Sequence, residues 1–367
     1  MGISKGVGKM SNQVVTLAQV EAGQIVDEDV FANSLFPIVR KDTALTAIHM
    51  EVLKTFSING VKVKNEYNVP RETIIEDEEV QPVIVKEKIV FQRKYELAVQ
   101  GFKKEFSKWR AGITPDVAQI RSIIVLLLEQ LEESGENLRF LTGATTKKDY
   151  IYHHSISVSL LSFKIARKMS LTKGEAVQLA IAGALIDCGM AKISPTILNK
   201  TNRLTDKEHI EIKKHPVYSY QMVKDTPLLK TEMKLAVLQH HERLDGSGYP
   251  LGEKNKNITP YAQVLSIADV YHARISDRVY RSREPIYRVL ESFKEDYEKF
   301  DLQAINALYE VVGNLSIGTK VQLSNGKQGT VIYLHPDEPF RPSVQVPEDA
   351  TIIDLTKERH LIVERTL

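Results

Sequence analysis

The densest chemistry in the chain lies in one short stretch, His240-His241-Glu242-Arg243-Leu244-Asp245-Gly246-Ser247-Gly248-Tyr249-Pro250. It opens with two adjacent imidazoles at the end of an apolar helical pattern, then runs through carboxylates and two glycines into Tyr-Pro. Adjacent side chains on a helix point about 100° apart, so the pair can reach two metal ions, or one ion and one substrate atom. The glycines permit left-handed turns and leave room for a ligand to approach the main chain.

Other candidates are scattered over more than a hundred residues. His154 shares an i, i+4, i+7, i+11 stripe with Val158, Leu161 and Ile165, which places it on a buried helix face, with His153 rotated away. A histidine on such a stripe is ordinarily a hydrogen-bonded core residue. Asp187 shares a face with Ala176, Ala180, Gly183 and Ala184, where small side chains let helices approach. A carboxylate buried there needs a cation or hydrogen bonds. His215 lies with Ile212, Ser219 and Met222, and Pro216 implies a bend beside it. Asp269 and His272 fall on the buried side of a helix opened by Thr259-Pro260. His272 reads as a ligand, a partner of Asp269, or a packed side chain. His209 reads as solvated. Imidazole and carboxylate donors together suit Fe, Mn or Zn, and residue chemistry alone points to metal-assisted hydrolysis of a phosphate ester.

The elements that must position these groups are mostly helical. After a lead of twelve residues, positions 13–67 mix short strand-like runs (Val14–Leu17, Val61–Val63) with a helical stretch near Thr46–Ser57, a small α/β module with a turn at Ile58-Asn59-Gly60. Residues 72–88, acidic and Val-rich, read as a linker. An amphipathic helix follows over Phe91–Arg110, then one capped by Thr114 with Pro115 at its first position. In the second, Ile123–Leu128 is apolar all round, as for a helix buried between others or in a dimer seam. Thr146 is a candidate cap for the helix carrying His154. Thr205-Asp206-Lys207-Glu208 is a capping box, and Asp301 and Gly313 bracket a late helix. From Leu315 the pattern turns to short β runs, with a hairpin at Ser324-Asn325-Gly326.

Composition sets outer bounds. The chain has 367 residues, net charge +2 and a single cysteine, Cys188. The length suits two or three domains. Polymeric nucleic acid is a poor guess as partner, and no intrachain disulfide can form. No uninterrupted apolar run reaches the roughly 18–20 residues of a membrane span, so a soluble, cytoplasmic protein without a membrane partner is expected.

The string His-His-Glu-x-x-Asp-Gly-x-Gly-Tyr-Pro resembles the signature of the HD-GYP family, metal-dependent phosphodiesterases acting on cyclic di-GMP. The resemblance spans roughly residues 140–300. It implies a mainly α fold, an HD-type helical bundle core flanked by a small N-terminal α/β module and a small C-terminal β domain. The corresponding boundaries are 1–85, 86–140 for linker helices, 141–313 for the core and 314–367. It implies metal ligation by His154 (in His154-Ser155), Asp187, His215 (in His215-Pro216), His240, His241 and Asp269, with Asp187 and His215 catalytic. It implies substrate contacts from Arg278, Arg281, Gly248, Tyr249 and Pro250, since an arginine fork suits a phosphodiester. One or two divalent ions, Fe or Mn, are expected. The implied reaction is attack of a metal-bound hydroxide on cyclic di-GMP, giving pGpG or GMP.

One position departs from the pattern. The family's His-Asp-x-Gly-Lys falls on Ile186-Asp187-Cys188-Gly189-Met190, so isoleucine replaces a ligand and methionine a cation. One metal would keep His154, Asp187 and Asp269; the other would keep Asp187, His215, His240 and His241. Two readings follow: a phosphodiesterase with one firm and one weak metal, or a catalytically inactive relative that acts as a cyclic di-GMP receptor or signalling interaction module. A homodimer through residues 91–135, or a signalling protein partner, is a further expectation.

Overall fold

The computed structural model describes residues 13–16, 19–21, 23–31, 37–39, 41–45, 49–50, 53–54, 58–67, 81–133, 138, 141, 149–278, 282–313, 315–347 and 351–367. The fold is mainly α, with small sheets near both ends of the chain. Two compact units divide it, Met1–Lys86 and Glu87–Leu367.

In the first unit β5 (Gly60–Tyr67) is the central strand, flanked antiparallel by β1 (Gln13–Thr16) and β2 (Gln24–Val26). β3 (Val30–Phe31) and β4 (Pro37–Val39) form a separate two-stranded ribbon. Alternation on β5 sends Val61 and Val63 into a small core with Val26, Leu45 and Leu53. Gly60 is required where β5 begins, because a Cβ there would meet the Val15 carbonyl at 2.8 Å. The helix expected near Thr46–Ser57 is seen at residues 49–50 and 53–54; its other positions lie outside the described residues.

Helix α1 (Gln81–Arg110) starts well before the expected Phe91. Its β-branched opening lowers helix propensity by only tenths of a kcal/mol per residue, and Pro82 is tolerated in a first turn. Helix α2 (Val117–Glu133) is capped by Asp116, whose Oδ1 accepts from the amides of Ala118 and Gln119, so the expected Thr114 cap is displaced by two residues. Within its apolar run Ile124, Leu127 and Leu128 are buried while Leu126 is exposed.

Helix α3 (Tyr150–Lys168) carries His154, and packs tightly on α4 (Lys173–Leu185), where Gly183 sits against Ser159. Thr146, the expected cap of α3, lies outside the described residues; the helix begins after Asp149. Helix α4 is opened by a reciprocal capping box between Thr172 and Glu175. It ends at Ile186, and Asp187 leads a 3-10 turn over Cys188–Lys192. By length and composition Lys173–Lys192 is apolar enough to cross a membrane, but 67% of that window is buried inside the protein, as for a core helix.

The Thr205–Glu208 capping box opens α5 (Asp206–Ile212). The bend expected at Pro216 is a full break: α6 (His215–Val223) starts afresh with Pro216 in its first turn. Helix α7 (Thr231–Gln239) delivers the histidine pair, and α8 (Pro260–Ile275), capped by Thr259, carries Asp269. Helices α9 (Ile286–Glu295) and α10 (Leu302–Val312) complete the bundle, the latter capped by Asp301 and closed at Gly313.

The C-terminal sheet is antiparallel, in the order β10 (Val363–Thr366), β6 (Lys320–Leu323), β7 (Gln328–His335), β8 (Glu338–Gln345), β9 (Ile352–Asp354). Its inner residues Val321, Val331, Val344 and Val363 join the same apolar core as the helices. Arg341 of β8, 6% exposed, pairs with Glu291 of α9 and donates to the Leu355 carbonyl at 3.0 Å.

Candidate metal centre

Five elements bring the scattered imidazoles and carboxylates together. Asp187, in the tight junction after α4, presents both oxygens. One lies 3.1 Å from His215 Nε2 and 4.0 Å from His240 Nε2; the other lies 3.5 Å from His154 Nε2. Asp269 reaches His154 Nε2 at 3.0 Å and His241 Nδ1 at 3.5 Å. All six expected ligands therefore share one site, and only His241 retains appreciable exposure.

The junction that aims Asp187 is built on close approach. Ser219 of α6 donates to the Ile186 carbonyl at 2.6 Å and accepts from the Gly189 amide at 2.8 Å. A Cβ on Gly189 would lie 2.3 Å from the His215 carbonyl, so glycine is demanded there. Ile186 is fully buried in the apolar core and does not line the cleft, whereas Met190 does.

The histidine tautomers are fixed by the backbone. His215 Nδ1 donates to the Ile212 carbonyl at 2.8 Å, and His240 Nδ1 donates to the Val237 carbonyl at 2.7 Å. A carbonyl can only accept, so each Nδ1 carries a proton, and in the neutral ring each Nε2 offers a lone pair. The two Nε2 atoms face each other at 3.2 Å, beside a carboxylate oxygen. Three acceptors converging in a buried site repel one another unless a cation or a proton lies between them. Orientation of a metal-ligating imidazole by a carbonyl on its far nitrogen is the usual support for such ligands. The ligand atoms of His215, His240 and His241 all lie within 4.8 Å of one another, a group able to hold a metal ion.

Electrostatics favour the ligating forms. Burial alone would raise Asp187 and Asp269, but when the facing imidazoles, His215 for one and His154 for the other, carry a second proton, their hydrogen bonds and charges hold both carboxyls well below the usual range; a metal ion in the place of that proton acts in the same direction. Burial pushes His240 down to about 4 and His241 well below the ordinary imidazole range, with neighbouring imidazoles adding to both effects. Neutral imidazoles beside ionised carboxylates are the species a divalent cation binds.

His240 and His241 do not diverge as helical neighbours would. His240 closes α7, the chain turns, and the two rings lie 4.2 Å apart. His272 supports His154 rather than Asp269: its Nδ1 lies 3.0 Å from His154 Nδ1, on the side away from the carboxylates. Tyr150 stacks on His154 and places its hydroxyl 3.1 Å from the same nitrogen.

The loop after the histidine pair is held from beneath. Glu242, 2% exposed, accepts from the amides of Leu251 at 2.7 Å and Glu253 at 3.0 Å. Arg243 donates to the His240 and Glu242 carbonyls and to Ser266, and lies over the Phe300 ring. Gly248 is required because a Cβ would lie 2.5 Å from Glu242 Cα, so the close approach is made by the loop's own backbone rather than by a ligand. Tyr249 stacks on His241 at 4.6 Å and lines the cleft, whereas Gly248 and Pro250, also expected at the substrate, are not among the residues lining it.

The site opens into a cleft of about 870 Å3, lined by His154, Asp187, His215, His241, Asp269 and arginines including Arg278. Arg278 sits over the Tyr150 ring at 4.7 Å. Arg281 lies outside the described residues. Glu242 and Arg243 stood in the opening string without an assigned part, and Tyr150 was not singled out at all. The spacing of Tyr150 four residues before His154 was the available signal for the last.

The HD domain family matches residues 119–302, half of the chain. This chain belongs to the HD domain family, and within it to the HD-GYP type. Among curated relatives, a cyclic di-GMP phosphodiesterase of Pseudomonas aeruginosa is 30% identical over 66% of this chain and 58% of its own length. One of Borreliella burgdorferi is 26% identical over 56% of this chain and 55% of its own. A 3'3'-cGAMP-specific phosphodiesterase of Vibrio cholerae is 31% identical over 41% of this chain and 32% of its own. The chain thus spans a little over half the length of the first two relatives. Within the HD-GYP pattern the site keeps every histidine and carboxylate expected of it except at Ile186.

Proposed function

We propose that this HD-GYP protein is a metal-dependent phosphodiesterase that hydrolyses cyclic di-GMP to pGpG or GMP. The observation that carries the reading is the convergence of His154, Asp187, His215, His240, His241 and Asp269 in one site that opens into a cleft. His215, His240, His241 and Asp187 would hold one divalent ion; His154, Asp187 and Asp269 would hold a second more weakly, since Ile186 offers no donor. Mixed imidazole and carboxylate donors suit Fe or Mn. When bound, such ions supply Lewis-acid neutralisation of phosphate charge and activation of water.

The chain's own residues do the rest. Asp187, facing both halves of the site, is a catalytic group that fixes the relative position of the two halves, and His215 is the second. Tyr249 covers His241 and narrows access from the loop side. Arg278, held over Tyr150, presents its fork to a phosphodiester. At about 870 Å3 the cleft is at the upper end of the roughly 300–1,000 Å3 usual for ligand sites, as a dinucleotide ring needs. Residues 1–85 and 314–367 flank the core as structural or partner-facing modules, residues 86–140 form linker helices within a homodimer, and the protein works in the cytoplasm.

Anaerobic turnover of cyclic di-GMP with Fe(II) and with Mn(II) tests the reading. Formation of pGpG or GMP is the expected result. Binding without turnover, with activity created by Ile186→His, would make the protein a receptor instead.

A further inference from the structure

Beyond the metal ligands, the cleft has a wall that the family signature does not include. Phe106 and Arg110, both on α1, line it. Helix α1 is fastened to the start of α3, the segment that carries His154. Lys103 pairs with Asp149 at 2.8 Å, the Phe106 ring meets Tyr152 edge-on at 5.5 Å, and the Tyr95 hydroxyl lies 3.0 Å from Ser157 Oγ. The helix stops just past Arg110 because Gly112 turns the chain at φ 91°. Arg110 thereby stands at the end of a fastened helix, exposed and among the residues lining the cleft.

The cleft arginines differ in what engages them. Arg243 is tied to two carbonyls and Ser266, and Arg274 forms a two-pronged pair with Glu284. Arg110, among the described residues, has no carboxylate within ion-pair distance. A cyclic dinucleotide carries two phosphodiesters. Only one can sit at the metal centre, and the other remains an anion that needs a counter-charge of its own. We infer that Arg110 binds the phosphodiester that is not being cleaved, making α1 part of the substrate site; this rests on the cyclic dinucleotide reading proposed above.

The test compares wild type, Arg110→Ala and Arg110→Lys, all loaded with Mn(II). Turnover and equilibrium binding of cyclic di-GMP are measured beside hydrolysis of bis(p-nitrophenyl) phosphate, which has a single phosphodiester. The expected result for Arg110→Ala is a KM and a Kd raised roughly tenfold to a hundredfold, as for loss of a charge-assisted hydrogen bond. Its kcat, metal content and hydrolysis of the small ester should stay near wild type, with partial recovery in Arg110→Lys. Unchanged KM and Kd for cyclic di-GMP in Arg110→Ala would overturn the inference while leaving the phosphodiesterase reading intact. A parallel loss on both esters would reduce Arg110 to a structural role. Wild type that neither binds nor cleaves the dinucleotide would overturn the reading beneath it.

Discussion

The Nε2 atoms of His215 and His240 lie 3.2 Å apart, and each ring has already committed its other nitrogen to a backbone carbonyl. Two lone pairs held face to face in a buried site are a template for a cation. Replacing either ring by alanine should lower affinity for the first metal ion by roughly 100-fold or more, beyond the 10–100-fold typical of losing a group that merely orients a ligand. Titration calorimetry with Mn(II) reads this directly. In wild type, metal at 100 times its Kd should add about 2.7 kcal/mol of stability. An unchanged thermal midpoint on metal addition would count against the site.

Acid should weaken the metal-free fold before its carboxylates titrate. Burial holds His240 down to about 4, whereas in the unfolded chain it titrates near 6.5. Between those values the unfolded chain binds a proton that the folded one refuses, so stability falls as pH falls. The slope is up to about 1.4 kcal/mol per pH unit for each such imidazole. Asp187 and Asp269 are depressed in the fold, so their contribution is intact above the unfolded carboxylate range and is lost only at still lower pH. Urea denaturation at pH 7, 5.5 and 4.5 should show the slope, and His240→Ala should flatten part of it. A stability independent of pH over that range would contradict the buried, neutral imidazoles.

Gly189→Ala should be among the most damaging single changes in the core. The added methyl would lie 2.3 Å from the His215 carbonyl and 2.5 Å from the Ser219 amide, both backbone atoms that cannot step aside cheaply. A loss of about 3 kcal/mol or more is expected, at the upper end of overpacking effects, together with displacement of Asp187. Chemical denaturation gives the first and metal affinity the second.

Glu242 has no ligand role in this account, although it belongs to the most specific string in the sequence. Its two oxygens hold the amides of Leu251 and Glu253. Glu242→Ala should cost about 1 kcal/mol for the two part-buried hydrogen bonds lost and should speed hydrogen exchange at those two amides. Metal content should stay at the wild-type level. Loss of metal with unchanged exchange would reverse the assignment.

Signals confined to a few adjacent residues were legible without the structure. The Thr205–Glu208 box, the Thr259 and Asp301 caps and the Ser324–Gly326 turn each depend on side chains that bond within one turn of chain. The buried faces of His154, His215 and Asp269 followed from periodicity, because their helices bury one side only. Other features depend on partners distant in sequence. Val344–Val346 and Ile352–Leu355 read as strands, but Pro339 and Pro342 disguised the first part of β8, whose pairing with β7 overrides its propensity, and Val363–Thr366 is a strand only because β6 receives it. The break between α5 and α6 looked like a bend, since Pro216 marks either. Arg110 read as the end of a linker helix; only the docking of α1 on α3 carries it to the cleft.

Ile186 decides how strong the second metal position is. It directly precedes Asp187 and is fully buried. Ile186→His should raise the metal stoichiometry at a fixed Mn(II) concentration, at a stability cost of about 1–3 kcal/mol from a buried polar ring.

Metal content of the wild-type protein, purified without oxygen and measured by mass spectrometry beside a His215→Ala/His240→Ala double variant, tests the central claim most directly. At least one tightly held divalent ion per chain in wild type, absent from the variant, is the expected result. A wild-type protein that stays metal-free when Fe(II) or Mn(II) is supplied in excess would contradict it.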